Sequence, residues 1–203
     1  MKITGKRILL FLTLVVLLWG FTLFRDRHTL NEGLIRFHVV ANSDSREDQA
    51  LKLLVRDAVT RELEQTMESL ENVKQAKAYL SCHLEQIETL AEQTLEAAGC
   101  PQGVTVTLGQ EAFDTRHYDT FSLPAGTYES LRITIGEGNG QNWWCVVFPT
   151  LCYSAAGEDW EAQAAGAGFS DTLAGALEGR KAYELRFFLL DCLGRAENFL
   201  RFG

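Results

Sequence analysis

The sequence predicts an α+β fold, a mostly antiparallel sheet packed against several helices, preceded by one apolar N-terminal helix. Three observations carry that prediction. Residues 50–98 place apolar side chains at helical spacing, and from Val104 the period drops to two. Ile8 to Phe24 is an apolar run without a charged residue, flanked by Lys2, Lys6 and Arg7 before it and Arg25 and Arg27 after it.

That run spans about 25 Å as a helix, slightly short of a roughly 30 Å hydrocarbon core but workable with local thinning or snorkelling. No small-residue cleavage motif follows Phe24. The expectation is a signal anchor over residues 1–27, cleavage being the alternative, followed by one domain over 28–203 outside the membrane. Asp26 to Gly33 reads as a short polar bridge between the two.

Leu34 to Val59 reads LIRFHVVANSDSREDQALKLLVRDAV. Leu34, Ile35, Phe37, Val39 and Val40 predict a strand covered on both faces. Asn42-Ser43-Asp44-Ser45 favours a turn and a cap, with Asp44 or Ser45 as N-cap and Glu47 or Asp48 completing a capping box. That gives Asp48 a structural role ahead of a catalytic one. Leu51, Leu54, Val55, Ala58, Val59 and Leu63 then give the apolar stripe of a helix. A second helix is expected over Leu70–Ala98, capped by Ser69 and stopped by Gly99 and Pro101, so that the two helices form an αα-hairpin over a sheet.

Val104, Val106 and Leu108 alternate with threonines as a half-buried strand, and Ala112–Phe121 reads as another. Leu123-Pro124-Ala125-Gly126 predicts a turn, after which Tyr128–Ile135 returns antiparallel to the strand before it. Gly136-Glu137-Gly138-Asn139-Gly140 looks like a phosphate loop but leads into the strand Trp143–Phe148 rather than a helix, so it reads as a turn. Trp143 and Trp144 face opposite sides of that strand, and one of them is a candidate exposed anchor for a partner. Ser154–Gly179, rich in Ala and Gly, suits a mobile loop or a weak helix. Arg180–Leu200 closes the chain as a helix whose stripe of Leu185, Phe188, Leu189, Cys192 and Phe199 is expected against the sheet.

The function classes narrow with the inventory. A net charge of −8 over 203 residues argues against a nucleic-acid partner. Four histidines, none paired at helical spacing, predict no metal site, and no cofactor motif occurs. His38 with Asp44 and a neighbouring serine supplies the parts of a nucleophilic triad, but within one turn, where the relay geometry is hard to assemble. An exported hydrolase acting on cell wall, centred on His38 and Asp44, is the alternative to a binding protein. His38 either hydrogen-bonds the Asn42–Asp44 turn from inside or joins Asn42 and Asp44 on a recognition surface.

Among five cysteines, Cys145 and Cys152 flank Phe148-Pro149-Thr150. A reversal at Pro149 would bring them together, whereas an extended run would hold them too far apart to bond. Cys82, Cys100 and Cys192 read as core thiols.

IRFHVVANSDSREDQALKLLVRDAV resembles the N-terminal signature of the stage II sporulation protein R family. The resemblance recurs at LPAGT (123–127), LRITIGE (131–137), NWWCVVFPTLCY (142–153) and LRFFL (185–189). It implies a signalling protein made in the forespore and exported towards the mother cell. There it would activate a membrane-embedded aspartic peptidase that processes the precursor of sigma-E. The resemblance thus implies a protein partner and no catalysis. His38, Asn42, Asp44, Trp143 and Trp144 are the candidate partner-binding residues, and the family block adds weight to a Cys145–Cys152 disulfide.

Overall fold

The computed structural model describes residues 2–118, 120–149, 164–166 and 168–203, with side chains from residue 5 onward. The fold is α+β. Helix α1 (Lys2–Gly33) leads directly into strand β1 (Ile35–Val40). Helices α2 (Arg46–Ser69), α3 (Val73–Cys82) and α4 (Leu84–Ala97) follow. Next come β2 (Val104–Phe113), a ribbon of β3 (Arg116–His117) and β4 (Ser122–Leu123), then β5 (Gly126–Ile135) and β6 (Asn142–Phe148). Helices α5 (Asp171–Leu177) and α6 (Glu184–Phe202) complete the described chain.

The main sheet has the order β2-β5-β1-β6. β2–β5 and β1–β6 are antiparallel, and the central β1–β5 pair is parallel. All six residues of β1 are buried, as its apolar composition requires for a strand covered on both faces. One face carries Ile35, Phe37, Val39, Leu131, Ile133 and Cys145, packed under α2, α3 and α4. The other carries Tyr128, Phe113 and Val146, packed under the end of α1, α5 and α6. Each fully buried Leu or Ile in these layers contributes about 1.5–3 kcal/mol.

Several elements differ from the reading of the sequence. The expected single helix over 70–98 is two, because His83 leaves the helical region (φ −119°, ψ 14°) while its ring stacks on Tyr79 at 4.0 Å. Asn72 caps α3 through Gln75 N, and Ser69 instead closes α2 by donating to the carbonyl of Thr66. The break expected after Leu108 is absent, since β2 runs ten residues in unbroken register with β5 and only the ribbon follows it. The stretch Asp26–Gly33 is no bridge. It continues α1 and docks on the domain, with Asp26 paired to Arg186 at 2.5 Å and Arg27 to Glu197 at 2.6 Å. Helix α6 presents Leu190 and Gly194 inward, while Leu185, Phe188, Cys192 and Phe199 of the expected core stripe are exposed. Cys82 is exposed as well and Cys100 half-buried, so these three thiols are free but not core residues.

Helix α1 is long and apolar enough to cross a membrane, with a mean hydropathy of 2.3, and is compatible with a membrane anchor or a signal sequence. Residues 154–163 of the Ala/Gly-rich stretch, and Cys152 with them, lie outside the described residues.

Candidate functional site

The predicted residues gather at one end of the sheet, where β1 runs out into the turn 41–45 and β6 begins. Ser45 is the N-cap of α2, its Oγ accepting from Asp48 N at 3.0 Å. The Asp48 carboxylate then accepts from Ser43 Oγ at 2.5 Å, Asn42 Nδ2 at 3.0 Å and Gln102 Nε2 at 3.1 Å. Ser43, Gln102 and Asn42 together hold its pKa down to about 2. Asp48 is therefore ionised at neutral pH, with its acceptor capacity engaged in holding the turn.

Asn42 and Asp44 face the glycine-rich loop. Asn42 Oδ1 accepts from Glu137 N at 3.0 Å, and Asp44 Oδ1 accepts from Gln141 N at 2.7 Å. The backbone carbonyls of Ala41 and Asn42 accept from Gly140 N and Asn139 N. A Cβ on Gly140 would collide with the Ser43 carbonyl, and Gly136 has φ +56° with Asn42 Oδ1 against the same position. These glycines serve close approach to the turn. The loop connects β5 to β6, as expected for a turn between strands. Lys52, buried on α2, fastens the same corner by donating to the carbonyl of Gln141 at 2.9 Å.

His38 is buried and turned to the opposite sheet face from Phe37. Its Nε2 lies 2.7 Å from Glu111 Oε2 and its Nδ1 3.3 Å from Asn142 Nδ2. Its ring stacks on Trp144, with 4.6 Å between centroids and 3° between planes. The expected bond to the Asn42–Asp44 turn is not among its partners, because alternation along β1 aims His38 at β2 and β6 instead. Glu111 also lies 3.6 Å from Arg132. Burial pushes the Glu111 carboxyl up, but the His38 hydrogen bond and charge, with Arg132, hold it below its ordinary value.

Both tryptophans find cover. Trp143 meets Phe37 edge-on at 5.8 Å and lies under the Arg56 guanidinium at 5.1 Å. Trp144 packs on His38 and Phe113 and carries Arg116 over its ring at 4.2 Å. Each remains half-buried, so the exposed anchor expected of one of them is instead a partly covered ring on each face. The fully buried Arg36 lies over Phe113 at 4.1 Å, the ring that Trp144 also meets, and donates to Tyr118 Oη at 2.8 Å. Cys145 points into the helix-covered core, and Cys152 is outside the described residues.

Sequence reasoning missed Glu111, Arg116 and Arg132, which complete the cluster. Arg132 falls within the block LRITIGE, but nothing local marks Glu111 as the partner of a histidine 73 residues away. The arrangement couples an acid–imidazole pair and two guanidinium groups to a half-buried indole, a polar–aromatic surface suited to protein recognition. Among the described residues, no three His, Cys, Asp or Glu side chains converge as a metal would require.

A family model described as stage II sporulation protein R matches residues 31–158, more than half of the chain and all of this site. Stage II sporulation protein R of Bacillus subtilis (strain 168) is 40% identical over 119 residues, covering 59% of this chain and 53% of the relative. The chain thus spans about half the length of the curated relative it matches. No solved structure matches it.

Proposed function

The chain belongs to the stage II sporulation protein R family and so has a role in sporulation; on that premise we propose that it is an exported signal that activates a membrane-embedded aspartic peptidase and so triggers processing of pro-sigma-E. It acts from the space between forespore and mother cell, displayed on the membrane by α1 and without catalysing a reaction itself. The observation that carries the reading is the convergence of separate signature blocks at one sheet end. His38 from the first block and Asn142 and Trp144 from the block at 142–153 are in direct contact there, with Arg132 from the block at 131–137 joined through Glu111. The hydrolase alternative needs His38 beside Asp44 in an open cleft. Here His38 is packed under Trp144, while Asp44 is engaged with Gln141 and Gln49.

The test is pro-sigma-E processing in cells co-expressing the peptidase with this protein, intact or carrying Trp144→Ala or Arg132→Ala. The Arg132 side chain is 41% exposed, so its truncation leaves the fold in place. Processing by intact protein, and its loss in folded variants, is the expected result. Absence of processing with intact, correctly exported protein would sink the signalling role. Full activity in both variants would move the recognition surface elsewhere.

A further inference from the structure

Helix α6 buries Leu190 and packs Phe187 and Leu189 against the core, but carries a second set of apolar residues away from the sheet. Leu185, Phe188, Cys192, Leu193, Phe199 and Leu200 are all exposed, Phe199 by 75% and Leu200 by 82%. At 3.6 residues per turn they fall in one sector about 140° wide, with no charged residue inside it. An uncharged face of that width on an otherwise acidic protein is an interaction surface.

Its place relative to α1 indicates what covers it. Arg186 pairs with Asp26, two residues beyond Phe24, the last residue of the apolar run. Leu185 and Phe188 flank Arg186 and so begin at the level where that run ends. Phe21 and Phe24, both exposed on α1, extend the apolar surface to the same level. Glu197 meets Arg27 and Asn31. Arg186 and Glu197 are thus about 16 Å apart along α6, while their partners are only about 1.5–7.5 Å apart along α1. The two helices would advance equally if they ran side by side. Helix α6 therefore crosses α1 and stays near one level along it. Ser170 and Thr172 share a cleft with Thr22 and Arg25, so the domain reaches down to the last turn of the apolar run.

We propose that α6 is a second membrane contact, its uncharged face embedded in the leaflet from which α1 emerges. The occupant is the lipid interface itself, and the proposal rests on the reading of α1 as a membrane anchor. An amphipathic helix lying in that plane buries its apolar side chains at the headgroup–acyl boundary. Together the two contacts would hold the domain at a set height and tilt, which a single spanning helix leaves free.

The test uses the full chain in lipid nanodiscs with one environment-sensitive fluorophore. The free thiols at 82, 100 and 192 are reduced to one by serine substitution, leaving Cys192 on the face or Cys82 on α3. A third variant, Leu14→Cys without those thiols, reports on the anchor. Nitroxide groups on the lipid chains and aqueous iodide serve as quenchers. Labels at 192 and 14 are expected to lose most of their emission to the lipid nitroxides and to resist iodide, with the label at 82 doing the reverse. A label at 192 open to iodide, beside a lipid-quenched label at 14, would overturn the membrane contact while leaving the anchor standing. A label at 14 that the lipids do not quench would overturn both. Shielding of 192 from both quenchers would assign the face to a second copy or another protein and equally overturn the proposal.

Discussion

Asp48→Asn tests whether the turn after β1 is held by a carboxylate or only by its shape. The substitution keeps the size of the side chain and its backbone bond to Ser45 Oγ, but replaces one acceptor oxygen with a donor. In either rotamer that donor faces another, Asn42 Nδ2 on one side or Gln102 Nε2 on the other. Losing one hydrogen bond to a charged group costs about 1.5–3 kcal/mol. The same hydrogen bonds lower the Asp48 pKa from 3.8 to about 2. The folded-state pKa is depressed, so this stabilisation is fully present above pH 3.8 and is lost as pH falls through about 2. Urea unfolding of the full chain in detergent, followed by tryptophan fluorescence, should place Asp48→Asn about 2 kcal/mol below the parent at pH 7. A melting point lower by about 4–8 °C is expected for a domain of this size. The two proteins should converge towards pH 2. A difference at pH 7 within the roughly 0.5 kcal/mol scatter of ordinary surface substitutions would refute the reasoning. So would a constant gap across the pH range.

Three further expectations concern the docking of α1 and α6 and the cysteines. Gly194→Ala in a helix interior would ordinarily gain about 1 kcal/mol, but here the new Cβ meets the carbonyl of Ala125. The expected sign is reversed, a loss of about 1–3 kcal/mol from overpacking, read by thermal unfolding. Arg27→Met removes the shortest partner of Glu197, which keeps Asn31 and Arg201, and takes a donor from the Ala125 carbonyl. A loss of about 2–4 kcal/mol and faster hydrogen exchange along α6 are expected, with partial recovery on adding Glu197→Gln; strictly additive effects would contradict a shared ion pair. Proteolysis without reductant should release peptides linked through Cys145 and Cys152, and two free thiols there would exclude that pairing.

The corner after β1 is legible from the order of residues alone. Asn42-Ser43-Asp44-Ser45 between an apolar run and a helical stripe predicts strand, turn, cap and helix, because the Ser45 cap bond joins near neighbours and the composition of β1 itself suits a strand covered on both faces. The same holds for Gly99, whose φ of +76° ends the helical hairpin. Tertiary structure decided the rest. Parallel pairing of β1 with β5 and the register of β2 are set by strands far apart in the chain. The partners of His38 follow from that register, so Glu111 could not be found from spacing. Periodicity in α6 revealed an apolar face but not which way it points. Arg186 and Glu197 on the other side, paired with Asp26 and Arg27, turn that face away from the sheet. A stripe records that a surface prefers to leave water; only the packed neighbours determine what covers it.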